Sequence, residues 1–220
     1  MRFGCSLASG KVEGSKVGCV LAIDFKYLDG GSFMDRSVYG HLCTPSGGAK
    51  WNLDGWFFDG IDDIITIPRN SVLEPQTLTL EALAWFNTIA NFRVLISKAN
   101  TSHIAPHYSF ELWGRATNSL TFYWNDSSAA QNILVENVLV PKHWQALAGS
   151  YELRKQQVLV NGNEVGKNTR SDTIAYFDTD LILGRSRNVA DSFFDGKMKQ
   201  VRIYSFADYT PRILSRSIGG

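Results

Sequence analysis

The sequence predicts an all-β domain, built as a sandwich or a barrel of short strands. Short runs of β-branched and aromatic residues recur roughly every 8–15 residues, as they do in such folds. Aromatic residues make up 12% of the 220 residues, and 19 glycines are available for turns. Helical periodicity is almost absent, which excludes a helix-rich fold.

About eleven runs have the composition of strands and are bounded by turn residues. Several alternate in a period of two: Val158 and Val160 share one face, and Val201 and Ile203 share another. In chain order the runs are Cys19–Phe25, Ile64–Ile67, Thr77–Phe86, Val94–Ser97, Tyr108–Trp113, Leu120–Trp124, Ile133–Leu139, Trp144–Tyr151, Gln157–Val160, Leu181–Leu183 and Met198–Tyr204.

Local turn chemistry fixes several ends of these runs. Asn161-Gly162 supplies the two positive φ angles of a type I′ turn and predicts a tight hairpin after Val160. Pro68 ends its run because proline cannot donate to a strand ladder. The single helical candidate is Asp208–Ser217, with Pro211 in its first turn. We therefore expect at most one short helix.

The chain has the length of one domain. Residues 1–16 are polar and glycine-rich and are expected to form an N-terminal arm or an edge strand, and residues 17–220 form the domain. Twenty-two Lys and Arg against 21 Asp and Glu give a net charge of +1, so no overall field attracts nucleic acid. No apolar run is long enough to insert into a membrane, and the N-terminus does not resemble a secretion signal.

Three cysteines, Cys5, Cys19 and Cys43, have no metal-binding or CxxC spacing. At most one disulfide can form among them. We expect buried or half-buried thiols, because a domain of this size does not need a covalent bridge.

The sequence predicts no catalytic residues. Glycan hydrolysis generally requires two carboxylates at a matched separation, which one strand provides most simply at positions i and i+2. Glu81 and Glu111 each stand alone in a predicted strand, and the adjacent Asp62 and Asp63 would point to opposite sides of a strand. Carboxylates from different strands can still meet, so an enzyme remains an alternative.

Four segments occur in a fixed order and together resemble one family. They are residues 56–68 (WFFDGIDDIITIP) followed by 78–82 (LTLEA), Trp144 leading to 158–162 (VLVNG), 183–185 (LGR), and 194–196 (FDG) running into 201–204 (VRIY). This set resembles the laminin-G-like domains of the concanavalin A-like lectin/glucanase superfamily. The resemblance covers nearly the whole chain.

The resemblance implies two antiparallel sheets packed face to face in a concanavalin A-like jelly roll. It implies a non-catalytic, lectin-like carbohydrate-binding or adhesion module whose partner is a glycan or glycoprotein. A protein-interaction or structural domain of a surface or virion is the alternative. A hydrolase or lyase is less favoured because the signature strands of those branches are missing. The family also favours an extracellular or surface location. The sugar and the oligomeric state are not specified.

The family often has Asp-Glu before its last strand, where the acidic side chains can support a structural calcium ion. Here these positions hold Lys199 and Gln200, so the resemblance argues against calcium and we expect no cofactor. One hypothesis is that the Lys199 ammonium group replaces the ion and pairs with Asp24 or Asp35. The alternative is that Lys199 is a solvated surface residue.

Sugar binding uses flat apolar rings together with planar polar groups. Two tryptophans of one predicted hairpin end their strands and lead into polar turns, which makes this hairpin the candidate site. The candidate ligand-binding residues are Trp113, Arg115, Trp124, Asn125 and Lys98, with Tyr108 on a neighbouring strand. The remaining tryptophans, assigned to core or rim packing, are Trp51, Trp56, Trp85 and Trp144.

Overall fold

The computed structural model describes residues 18–25, 35–52, 54–89, 92–101, 107–126, 130–187 and 189–207. Within these ranges the chain forms fifteen β-strands and one short 3-10 turn, Ser71–Leu73, with Asn70 as its N-cap. The described part contains no helix of the length and apolarity needed to cross a membrane. The arm expected at 1–16 and the helix expected at Asp208–Ser217 lie outside the described residues.

The strands are short, as their spacing predicted. They are β1 (Cys19–Asp24), β2 (Thr44–Ser46), β3 (Lys50–Asn52), β4 (Gly55–Asp59), β5 (Ile64–Ile67), β6 (Leu78–Phe86), β7 (Arg93–Ala99), β8 (Tyr108–Arg115), β9 (Ser119–Asn125), β10 (Ala130–Val135), β11 (Trp144–Glu152), β12 (Lys155–Val160), β13 (Asn163–Asn168), β14 (Leu181–Leu183) and β15 (Asp195–Tyr204).

The strands form two antiparallel sheets that pack as a sandwich. The eight-stranded sheet has the order β13-β12-β11-β6-β15-β4-β3, and β1 pairs with β15 beside β4. The seven-stranded sheet has the order β10-β9-β8-β7-β14-β5-β2. This arrangement confirms the predicted all-β sandwich of concanavalin A-like jelly-roll type.

Alternating residues from both sheets fill the core between them. Leu80 and Ala82 on β6 face Leu112 on β8 and Phe122 on β9, and all four are fully buried. Gly149 on β11 allows the sheets to approach, since a Cβ atom there would lie 2.3 Å from Cγ of Phe122. The inner faces are therefore closely packed, and any binding surface must lie on an outer face or at an end.

Local chemistry predicted some elements and missed others. Asn161 and Gly162 have φ angles of 50° and 83°, which confirms the tight turn between β12 and β13. The polar strand β13 forms the second arm of the hairpin predicted at Asn161-Gly162. The short strands β2, β3 and β4 were not predicted. They pair at or near the sheet edges, where three to five residues suffice and an apolar pattern is not needed.

The two described cysteines differ. Cys43 is a free thiol, and burial together with the nearby Asp35 carboxylate raises its pKa to about 12. Cys19 is disulfide-bonded, which corrects the expectation of a thiol at that position.

Candidate functional site

The outer face of the seven-stranded sheet, turned away from the other sheet, carries a transverse row of polar side chains. Phe110 and Leu112 on β8 pack into the core, so Glu111 between them points outward. Cross-strand pairing places Tyr123 of β9 on one side of Glu111 and Ser97 of β7 on the other. This row, Tyr123–Glu111–Ser97, crosses the centre of the sheet.

Glu111 is buried in the middle of the row. The Ser97 hydroxyl donates a hydrogen bond to Glu111 Oε1, and the Ser186 side chain also bonds to the carboxyl group. Burial raises the pKa of Glu111 to about 8, although these two hydroxyl contacts oppose the shift. At neutral pH Glu111 is therefore mostly a protonated carboxylic acid, which can both donate and accept hydrogen bonds.

Two tyrosines stand next to this carboxyl group. The rings of Tyr108 and Tyr123 meet edge to face with centroids 4.7 Å apart. Burial, together with the proximity of Glu111, raises the pKa of Tyr108 and raises the pKa of Tyr123 to about 12. Both phenols remain protonated at physiological pH, so the centre of this face is polar but uncharged.

Trp113, two residues beyond Glu111, lies on the same outer face at the end of β8. Its ring contacts Phe92 at a centroid distance of 4.7 Å. The exposed guanidinium of Arg115 lies 5.4 Å from the Phe92 ring centroid and 5.9 Å from that of Trp113. The Trp113 side chain is only 7% exposed, and among the described residues its Nε1 atom has no hydrogen-bond partner. We call Phe92, Trp113 and Arg115 the Arg115 patch.

The structure separates the two predicted hairpin tryptophans. Trp124 pairs with Phe110 and faces the core, where its ring lies 4.1 Å from that of Tyr151. It is fully buried and offers no surface to a ligand, in contrast to the sequence expectation. Asn125 is also fully buried, and its backbone carbonyl accepts a hydrogen bond from the Ala175 amide. Neither residue adjoins the Arg115 patch.

Lys98 is likewise an interior residue rather than a surface contact. Its ammonium group lies 3.1 Å from Glu74 Oε1 and donates a hydrogen bond to the Thr179 carbonyl. Burial lowers the pKa of Lys98, and the Glu74 carboxylate partly opposes this shift. Burial also disfavours the charged form of Glu74, but hydrogen bonds from Arg69 and Lys98 together lower its pKa. The pair stabilises the fold at one end of the sandwich.

Comparison with known proteins gives the family. A family model described as concanavalin A-like lectin/glucanases superfamily, of laminin G type, matches residues 59–208. The chain belongs to this superfamily. A search of curated protein sequences found no match.

Several solved structures have the same fold as this laminin-G-like chain. The binding domain of Paraclostridial Mosquitocidal Protein 1 gives a TM-score of 0.68 at 11% identity, over 87% of this chain and 49% of that one. A structure of botulinum neurotoxin type C, whose cell entry depends on interaction with two ganglioside molecules, gives 0.67 at 11% identity, over 87% and 49%. The serotype D/C binding domain gives 0.67 at 10% identity, over 87% and 50%.

The chain spans about half the length of these neurotoxin domains. At such low identity the likeness establishes the shared fold and does not transfer a binding site.

Lys199 stands where the sequence resemblance led us to consider a calcium ion. Lys199 Nζ lies over the Trp144 ring, 4.4 Å from its centroid, and does not pair with Asp24 or Asp35 as one hypothesis expected. Asp24 accepts a hydrogen bond from Gln200 Nε2 at 3.2 Å. Asp35 accepts hydrogen bonds from backbone amides, including that of Ala22 at 2.7 Å. A bulge between Met198 and Gln200 places Lys199 outside the regular register.

Three carboxylates of the β4–β5 turn, Asp59, Asp62 and Asp63, have oxygens within 4.8 Å of one another. The side-chain oxygens of Asp59 and Asp63 already accept hydrogen bonds from backbone amides of the turn region. Asp63 accepts hydrogen bonds from the amides of Gly48 and Asp59, at 2.6 and 2.8 Å, and Asp59 Oδ1 accepts one from the Ile61 amide at 2.8 Å. This hydrogen bonding explains why the chain turns at Asp59-Gly60, between β4 and β5.

Proposed function

We propose that this chain is a non-catalytic carbohydrate-binding domain and that the Arg115 patch contacts the sugar. The observation that carries the proposal is the exposed guanidinium of Arg115 over two aromatic rings on the outer face of a lectin-type sheet. The half-buried ring of Phe92 provides apolar surface for the C–H face of a pyranose, and the buried ring of Trp113 packs against it. The exposed guanidinium group of Arg115 provides hydrogen bonds to hydroxyl groups.

The polar row next to the patch supports binding without catalysis. Glu111 is flanked by Tyr123 and Ser97, and neither neighbour is a second carboxyl group. Glycosidases of both stereochemical classes generally use two carboxyl groups, at separations of roughly 5 to 9.5 Å. Glu111 is itself buried and bonded to Ser97 and Ser186, and the row gives it no second carboxyl group as a nucleophile or base.

The proposal is tested by a glycan array, followed by calorimetric titration of the best ligand against variants. Arg115→Ala is expected to weaken binding by about tenfold, because it removes a charged donor and the cover over two rings. Lys167→Ala is the matched control, since Lys167 is an exposed cation on β13 of the other sheet. Equal affinities for the two variants would reject the Arg115 patch. Turnover of the ligand would reject a non-catalytic role.

A second candidate function is protein interaction. It is favoured by the loop 38–42, which exposes Val38, Tyr39 and Leu42, each by half or more. This alternative is supported if the domain binds no glycan on the array and if replacing Val38, Tyr39 and Leu42 together with serine abolishes binding of a protein partner.

A further inference from the structure

The outer face of the eight-stranded sheet carries a second aromatic cluster, which the proposed sugar site does not use. Trp85 on β6 and Trp144 on β11 are direct cross-strand partners, and their ring centroids lie 6.0 Å apart in an edge-to-face arrangement. Both side chains are half-buried, so each ring keeps part of its surface in solvent. The sequence assigned these tryptophans to core or rim packing, and in the structure Trp144 packs against the buried Leu83 and Ala146 on the outer face of the sheet.

Two lysines and a histidine surround these rings. Lys199 Nζ lies 4.4 Å from the Trp144 centroid, and Lys197 Nζ lies 5.6 Å from the Trp85 centroid. The exposed ring of His143 stacks on Trp85 at 6.4 Å. We call these five residues the Trp85–Trp144 patch.

The patch has more positive than negative charge. Lys197 has one carboxylate neighbour, Asp54, whose Oδ2 is 3.4 Å from Nζ and whose side chain is 65% exposed. Among the described residues, no carboxylate lies within ion-pair distance of Lys199. An ammonium group held over a ring and left without a counter-ion attracts an anion from solution, and the ring beside it excludes part of the water that would screen this attraction.

We propose that the Trp85–Trp144 patch binds an anionic sugar residue, one that carries a carboxylate or a sulfate group. Such a residue presents the two chemistries of the patch on one small ring: C–H groups that pack on an indole and an anion that pairs with Lys199. The half-buried indoles lie within the sheet surface, which suits a single flat ring better than insertion into a bilayer. Charge complementarity at Lys199 carries the assignment.

This site is independent of the proposed function, because the Arg115 patch lies on the outer face of the other sheet. The two patches therefore face away from each other across the sandwich. Each can be tested with a variant that leaves the other unchanged.

The experiment titrates the chain with lactose, 3′-sialyllactose and 3′-sulfated lactose, and follows tryptophan fluorescence and heat. We expect the two charged sugars to bind more tightly than lactose. Lys199→Gln should weaken their binding by about tenfold, and added salt should weaken it further, because a charge-assisted contact is lost or screened. Lys199→Arg should retain most of the affinity.

Lys167→Gln is the matched control for general charge, because Lys167 is an exposed cation outside both patches, and it should bind the charged sugars as the unmodified chain does. Equal affinity for lactose and the charged sugars, no binding of either charged sugar, or normal binding by Lys199→Gln would overturn the proposal. Loss of binding in Arg115→Ala alone would assign the charged sugars to the Arg115 patch. The chain is also tested with anionic vesicles. If it binds the vesicles but not the charged sugars, and if Lys199→Gln abolishes vesicle binding, the occupant is a lipid headgroup. This result would also overturn the proposal.

Discussion

The hydroxyl of Ser97 donates a hydrogen bond to the carboxyl group of Glu111, its direct cross-strand neighbour on the outer face of the seven-stranded sheet. The pair holds a protonated carboxyl group in a buried position, because burial raises the pKa of Glu111 from 4.5 to about 8. In the unfolded chain the same group ionises at its ordinary pKa. Protonation of Glu111 is therefore coupled to folding.

The first prediction concerns this coupling. Between the unfolded and folded pKa values, the folded state binds a proton that the unfolded state has lost, so stability falls as pH rises from about 4.5 to about 8. The slope from this group is at most ~1.4 kcal/mol per pH unit. Glu111→Gln should remove this slope, because glutamine does not titrate. The variant should be more stable than the unmodified chain at pH 8 but not at pH 4.5. Urea unfolding across this range measures the effect. Glu136→Gln is the control, because Glu136 is exposed, and it should keep the slope. If Glu111→Gln also keeps the slope, the pKa of Glu111 is not elevated.

The second prediction separates binding from packing in the β8–β9 hairpin. Trp124→Phe should destabilise the fold by about 1–3 kcal/mol, because the smaller ring leaves a gap against Tyr151 in the core. Arg115→Ala should leave stability within about 0.5 kcal/mol, because the side chain is exposed. Thermal unfolding and glycan titration of the same samples test both. A stable Trp124→Phe variant with weakened sugar binding would show that the buried ring takes part in recognition.

The third prediction concerns the Lys98–Glu74 pair. Glu74→Gln leaves the buried ammonium group without its carboxylate and should cost about 2–3 kcal/mol of stability. Lys98→Met combined with Glu74→Gln should cost less than the sum of the two single changes, since no unpaired charge remains. Arg69→Gln, which removes the more exposed partner of Glu74, should cost less than Glu74→Gln. Strict additivity in the double-mutant cycle would mean that the ion pair contributes nothing to the fold.

The fourth prediction concerns the closest approach of the two sheets. Gly149→Ala places a methyl group against the Phe122 ring and should destabilise the chain by about 1–3 kcal/mol. Gly48→Ala is the matched control, because a Cβ there meets its nearest neighbour at 3.7 Å, an ordinary contact. Adding Phe122→Leu to Gly149→Ala should restore part of the loss. Equal unfolding midpoints for the two alanine variants would show that the sheets can move apart at no cost.

Sequence reasoning gave the sandwich and its family because both depend on local patterns, namely alternating strands and turns such as Asn161-Gly162. It did not place the two tryptophans of the hairpin on opposite faces. The register depends on the turn that pairs Arg115 with Ser119, in which Thr117 and Asn118 both have positive φ angles. A β-branched threonine is uncommon at positive φ, so the residue types did not indicate this turn. With that register, Trp113 and Trp124 fall on alternate faces.

The positions of Lys98 and Lys199 had no local signal. The burial of Lys98 depends on Glu74, which reaches it from the turn after β5, and this contact is set by the packing of distant segments. The bulge before Gln200 turns Lys199 away from the alternation that its strand would otherwise follow. A pattern of residue types does not show where such side chains lie, because their surroundings are set by tertiary packing or by a bulge.

The pairing of β1 with β15 joins the earliest and latest strands of the described chain, and the Ser205 amide donates a hydrogen bond to the Gly18 carbonyl at 2.7 Å. A ribosome makes these strands some 180 residues apart, so the first strand cannot find its place until nearly the whole domain has emerged. Until β15 has been made, β1 lacks the strand with which it pairs in the finished sheet. The sandwich therefore closes as a late event, and truncation before β15 should leave a nascent chain that aggregates.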